Sequence, residues 1–203
     1  MANQYARRWA AVVSLSVGFI CEGKVERKII ESPRFQATLQ SMGIECIRPV
    51  INADGSGNLL PRHIADFRNT LLANGAQKIV VLTDLDEDRC VTQTKERSGI
   101  RSEEIIVVAV RQIEAWFLAD NQTLSRLLNK RFSFDTPEAE AEPFKKLKAI
   151  FLQETGRGVG TKDILAQRML KYDFSVENAA AHPNCTSAKY FLNKLKTINH
   201  SAI

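Results

Sequence analysis

Apolar positions fall into short aliphatic runs separated by stretches where they recur every three or four residues, as in a sheet whose strands are joined by helices. Residues 13–21 predict a first strand that stops at Cys21-Glu22-Gly23, where Gly23 suits a tight turn into a helix. A helix from Lys24 to about Gln40 buries Val25, Ile29, Ile30, Phe35 and Leu39, with Pro33 placed to kink or divide it and Gly43 to stop it. Ile44 to Val50 predicts a second strand, residues 59–74 an amphipathic helix ended by Gly75, and Lys78 to Leu82 a third strand. After a polar segment from Arg89 to Arg101, with Glu103 and Glu104 next, Ile105 to Val110 gives a fourth strand. The expected fold is α/β, a mainly parallel four-stranded sheet flanked by helices with right-handed crossovers. Ile113, Trp116, Phe117 and Leu118 then form the buried face of a further helix.

Beyond Leu128 the pattern changes. Asp135 to Pro143 is poor in apolar residues and reads as a loop or flexible insertion. Phe144 to Gln153, Thr161 to Leu170, Val176 to Ala181 and Thr186 to Thr197 read as short helices. We therefore expect an α/β domain over residues 1–128 and a basic helical extension over 129–203 packed on it. Charge supports the division: residues 1–120 hold 15 Lys/Arg against 15 Asp/Glu, and residues 121–203 hold 13 against 8. The net charge of +5 thus lies late in the chain and favours a polyanionic partner.

Cys21, Cys46, Cys90 and Cys185 form no zinc or disulfide framework, and a reducing cytoplasm is their simplest home. His63, His182 and His200 have no ligand spacing and read as surface or capping residues. Arg7-Arg8 before an apolar run imitates a signal peptide, but no small-x-small site follows and the run reads as a strand, too short to span a membrane.

The candidate chemistry sits where strands end, the edge at which open α/β sheets gather ligands. The third strand runs into Asp84-Leu85-Asp86-Glu87-Asp88. On extended chain Asp84 and Asp86 share a face about 6–7 Å apart, with Leu85 turned to the core. Such carboxylates repel unless a cation lies between them, and Mg2+ fits oxygen donors of this kind. Glu22 stands at the tip of strand one, and Glu114 near a helix start after strand four, where a metal role and helix-dipole stabilisation weigh equally. Residues 53–58 read as an ordinary strand-to-helix connection more readily than as a phosphate cradle.

Cys21-Glu22-Gly23-x-x-Glu26 after the first strand and Thr83-Asp84-Leu85-Asp86 after the third resemble the Toprim (topoisomerase-primase) domain, which places a glutamate and an Asp-x-Asp at these points. The segments Ile113 to Asp120 and Asn184 to Leu192 look like small stand-alone Toprim proteins similar to the overcoming-lysogenization-defect (OLD) nucleases of bacterial anti-phage loci. The resemblance implies a Rossmann-like Toprim fold and a cytoplasmic nuclease hydrolysing DNA or RNA with Mg2+ or Mn2+, serving phage defence. It implies catalytic Glu22, Asp84 and Asp86, the same three with Glu114 as metal ligands, and a separate ATPase or other defence subunit as partner, with no membrane. Glu26 is placed to touch the metal's water shell or to stand exposed. Asp88 is placed for a second ion or as a solvated loop acid. Asp120 joins Glu114 as a second-site candidate, and Lys162 is a candidate for the scissile phosphate or an ordinary surface lysine at a helix start. The alternative reading is a non-catalytic Toprim module that binds nucleic acid or a partner protein.

Overall fold

The computed structural model describes residues 14–99 and 104–198. Residue 13 of the first strand, the segment 100–103 with Glu103, and His200 lie outside them. Leu15–Cys21 forms β1, a run buried along nearly its whole length as a central parallel strand requires. The helix predicted after it is divided: α1 covers Lys24–Glu31 and α2 Pro33–Ser41. Ser32 causes the break by capping α2, its Oγ accepting from Phe35 N at 3.3 Å, and Pro33 occupies the first-turn position where a missing N–H is harmless.

The second strand is also divided. Ile44–Cys46 (β2) pairs with the start of β1 and Ile51–Asn52 (β3) with its end, so both share one edge position. Pro49, which has no N–H to give a ladder, lies in the gap. A single 3-10 turn, Ser56–Leu59, leads to α3, Pro61–Ala73, and Lys78–Asp84 forms β4. Within the stretch expected to be merely polar, Val91–Arg97 forms a short helix, α4, before β5, Glu104–Ala109. The sheet runs β2/β3, β1, β4, β5, with every pairing parallel. Five strands thus stand where four were expected, in an α/β arrangement consistent with a Rossmann-like fold.

Side-chain alternation gives the sheet two apolar faces. Ile20, Ile79, Val81, Ile106 and Val108 meet α3 on one of them. Gly18 lets that helix come close, since a Cβ there would lie 2.9 Å from Leu71 Cδ1. Val17, Phe19, Val80, Leu82 and Val107 face the other side, where they share one core with α1, α2 and the six helices that follow β5. These helices are α5 (Glu114–Ala119), α6 (Asn121–Leu128), α7 (Pro143–Thr155), α8 (Lys162–Lys171), α9 (Val176–Ala181) and α10 (Thr186–Ile198). Trp116 stacks on Phe191 of α10, and Phe191 on Phe35 of α2, with ring centroids 5.7 and 5.5 Å apart.

The acidic loop before α7 has no regular structure, but it is fastened rather than loose. Glu138 accepts from the backbone N–H groups of Thr186 and Ser187 and from both hydroxyls, so its charge caps α10. No described helix is long and apolar enough to cross a membrane. The four cysteines are free.

Candidate functional site

Because the strands are parallel, their carboxyl ends lie on one edge, and the chain delivers an acid at each of the two central ones. Glu22 leaves β1 with its N–H still donating to Leu82 O of β4 at 2.9 Å. Glu26 follows one turn later in α1, and Asp84 is the last residue of β4. After β5 the chain turns through Arg111 into α5, whose first turn carries Glu114. These four carboxylates, with Lys162 from the start of α8, line one cavity of 440 Å3. Glu26, Asp84 and Glu114 are buried; Glu22 is half-buried. Gly23 makes room for Glu26, because a Cβ on it would lie 3.0 Å from Glu26 Oε2.

The hydrogen bonds are unequally shared. Glu22 Oε2 accepts from Thr83 Oγ1 at 2.5 Å and from Asp84 N at 3.1 Å. Asp84 Oδ1 accepts from Ile113 N at 2.8 Å. Glu114 Oε2 meets Lys162 Nζ at 3.1 Å, while Glu114 Oε1 is buried with no hydrogen-bond partner. Six carboxylates, Glu22, Glu26, Asp54, Asp84, Glu114 and Asp163, therefore line the cavity against two ammonium groups, Lys24 and Lys162. Burial, reinforced by Glu26, Glu114, Glu22 and Asp86, holds the Asp84 carboxyl well above the usual range. Burial also pushes Glu26 up to about 7, with Glu114 and Glu22 adding to it. Glu114 is raised by burial against the opposing pull of Lys162. Burial lowers Lys162, but Glu114, Asp84 and Glu26 outweigh it and leave the ammonium harder to deprotonate.

The oxygen donors, the unpartnered Glu114 Oε1 and the surplus of buried negative charge fit a hard divalent cation in chemical type. The side chains are not closed on a common point, however: among the described residues no group of three or more His, Cys, Asp or Glu has metal-holding geometry. Glu22 Oε2 is engaged by Thr83 and Glu114 Oε2 by Lys162, so a cation here would draw on the remaining oxygens.

Asp86 is separated from Asp84 in a way extended chain does not produce. Its φ of 46° is left-handed, its N–H donates to Arg111 O at 2.9 Å, and its Oδ1 accepts from Gln112 Nε2 at 3.4 Å. Strand alternation therefore ends at Asp84, and Asp86 lines a neighbouring cavity with Glu87 and Asp88. Asp88 accepts from Thr94 Oγ1 at 2.8 Å and pairs with Arg97 at 3.3 Å. Asp120 does not line the pocket. It caps α6 and accepts from Thr123 N, Thr123 Oγ1, Ser175 N and Asn178 Nδ2 at 2.8–3.2 Å. Residues 53–58 are laced down, with Ala53 N bonded to Cys21 O and Gly55 N to Glu22 O. His63 is exposed, and His182 closes α9 with its Nε2 2.9 Å from Phe134 O.

Several residues of the site carry no role in the sequence pattern, among them Thr83, Asp54, Lys24 and Asp163. Thr83 is completely buried and fixes one Glu22 oxygen. Its sign was a lone hydroxyl inside an aliphatic strand. Asp54 lines the pocket, and nothing local to it marks that role. No family model, curated protein or solved structure matches the chain.

Proposed function

We propose that the pocket is the centre of a divalent-metal-dependent nuclease acting on phosphodiester bonds of DNA or RNA. One observation carries this reading. Carboxylates from two strand tips and two helix starts share a cavity in which burial and mutual repulsion leave them short of positive charge. Asp84 and Glu114 would hold a Mg2+ or Mn2+ ion, with Glu22 and Glu26 beside it. When bound, such an ion offsets charge on phosphoryl oxygens and makes a water more acidic. Glu22 is bound by protein through Oε2, so its Oε1 is the oxygen placed to take a proton from an attacking water. Lys162 extends its ammonium into the same cavity, where it can pair with a phosphate oxygen. Asp86 lines a separate cavity.

The test is incubation of purified protein with plasmid, single-stranded DNA and transfer RNA, each with Mg2+, Mn2+ or chelator. Metal-dependent cleavage is expected, falling about 100-fold or more in Glu22→Gln and Asp84→Asn proteins that keep the native melting profile. Cleavage that survives both substitutions would remove the reading. The lack of a closed three-acid group among the described residues favours a second one, a non-catalytic module that binds nucleic acid or a partner. Nucleic-acid binding by the wild type, with no cleavage under any metal condition, would select it.

A further inference from the structure

The deepest acids of the pocket are held by the fold, and the ammonium that meets them is not. Asp84 Oδ1 is fixed by the Ile113 N–H at 2.8 Å, and Glu22 Oε2 by Thr83 Oγ1 and the Asp84 N–H. Glu114 stands in the first turn of α5 with its side chain 0% exposed. Lys162 is attached differently. It opens α8, its side chain is 41% exposed, and its Nζ reaches Glu114 Oε2 at 3.1 Å. The Phe144 ring centroid lies 5.9 Å from the same Nζ and offers an aromatic face that can keep hold of an ammonium. A charge carried on a flexible four-carbon stem can therefore leave a carboxylate that cannot follow it.

We infer that Lys162 is the tethered counter-ion of this pocket: a divalent cation displaces its ammonium from Glu114, and the released lysine then receives a phosphate of the ligand. The inference rests on reading the pocket as a metal site. Glu114 Oε1 is buried and unpartnered, and Oε2 is the oxygen that Lys162 occupies. An ion seated on Oε1 would thus share one carboxylate with an ammonium. The two repel twice as strongly as two ammonium groups at the same distance, and only the lysine is free to swing out. A hard cation gains from the exchange, because both oxygens of Glu114 become available to it. The exchange also doubles the positive charge set directly against the buried carboxyls of Glu26, Asp84 and Glu114. Once released, Lys162 joins the exposed Lys24, which lines the same cavity, and the two ammonium groups suit an anionic ligand. Cation binding therefore comes first and prepares the pocket for phosphate.

Lysine reactivity reads this exchange. The purified protein is acylated with an N-hydroxysuccinimide ester over a Mg2+ titration, modification of Lys162 is followed by mass spectrometry, and calorimetry reports binding of the ion. Lys162 should react several-fold faster at saturating Mg2+, with the midpoint of the calorimetric curve, while the exposed Lys189 of α10 stays constant. In Glu114→Gln it should react fast without Mg2+ and change little when the ion is added. Lys162→Met should bind Mg2+ several-fold more tightly than the wild type does. Inorganic phosphate should slow acylation of Lys162 in the presence of Mg2+ and leave it unchanged without the ion. Calorimetric binding of Mg2+ with no change in Lys162 reactivity would overturn the inference and leave the metal reading standing, as would weaker binding by Lys162→Met. Phosphate protection equal with and without Mg2+ would overturn it as well. Absence of Mg2+ binding would remove both the inference and the metal reading. Release of Lys162 by Mg2+ without cleavage of any nucleic acid supports the inference and removes the nuclease.

Discussion

Glu114 and Asp120 bracket the same short helix, α5, and both side chains are completely buried. Around Asp120 the fold supplies four donors, two from Thr123 and one each from Ser175 and Asn178, so the carboxylate locks α5, α6 and α9 together. Around Glu114 it supplies Lys162 alone and leaves Oε1 unpartnered in a cavity with five more acids. Burying a carboxylate is costly unless its oxygens find donors. A buried acid with its donors in place is explained by folding; one without them keeps a charge that the fold leaves uncompensated. By that criterion Asp120 belongs to the architecture and Glu114 to the site.

The sharpest way to break this comparison is to neutralise both residues. Asp120→Ala should cost about 3 kcal/mol or more, because it strands several buried donors. Glu114→Gln should change stability by no more than about 1 kcal/mol, in either direction, because it removes a poorly compensated charge. Urea midpoints with unchanged m-values measure both, and a larger loss in Glu114→Gln than in Asp120→Ala would reverse the assignment.

A smaller effect concerns pH. Glu26 has a folded value of about 7, above its ordinary 4.5, so between those limits the folded protein holds more protons than the unfolded chain. Stability without divalent metal should therefore fall as pH rises through that window, by on the order of 3 kcal/mol from this group. Glu26→Gln should flatten the slope, and added Mn2+ should flatten it too by supplying the missing positive charge. Thermal melts across the window would show this; stability rising with pH over the same range in the metal-free protein, with the slope unaltered by Glu26→Gln, would contradict it.

The smallest effect is expected at Thr83. Thr83→Val keeps the shape and removes the hydroxyl that fixes Glu22 Oε2, costing about 1 kcal/mol of stability. It should weaken metal-dependent cleavage less than Glu22→Gln does, with Thr83→Ser restoring it. Full activity in Thr83→Val would show that Glu22 does not need this anchor.

Sequence patterning located the acids and not their partners. Asp84 and Glu22 were legible because a buried strand followed by a carboxylate is a local feature of the chain. Asp86 departs from the strand geometry expected of it, since alternation along extended backbone holds only while the backbone is extended, and at Asp86 it turns left-handed. Asp120 was grouped with the site although Asp120-Asn121-Gln122-Thr123 is also an N-cap sequence; its other donors, Ser175 and Asn178, lie 55 and 58 residues away. The acidic loop looked mobile because its composition says nothing of Glu138 reaching Thr186 and Ser187.

The amino-acid order alone determined the alternation of strands and helices, the parallel sheet, and the acids at its carboxyl edge, all of which follow from periodicities of a few residues. Tertiary structure decided which of those acids face a common cavity and which receive donors. Those outcomes depend on contacts such as Thr83 with Glu22 across 61 residues and Lys162 with Glu114 across 48. A carboxylate's role is set by the groups that surround it, and chain folding brings most of these from afar.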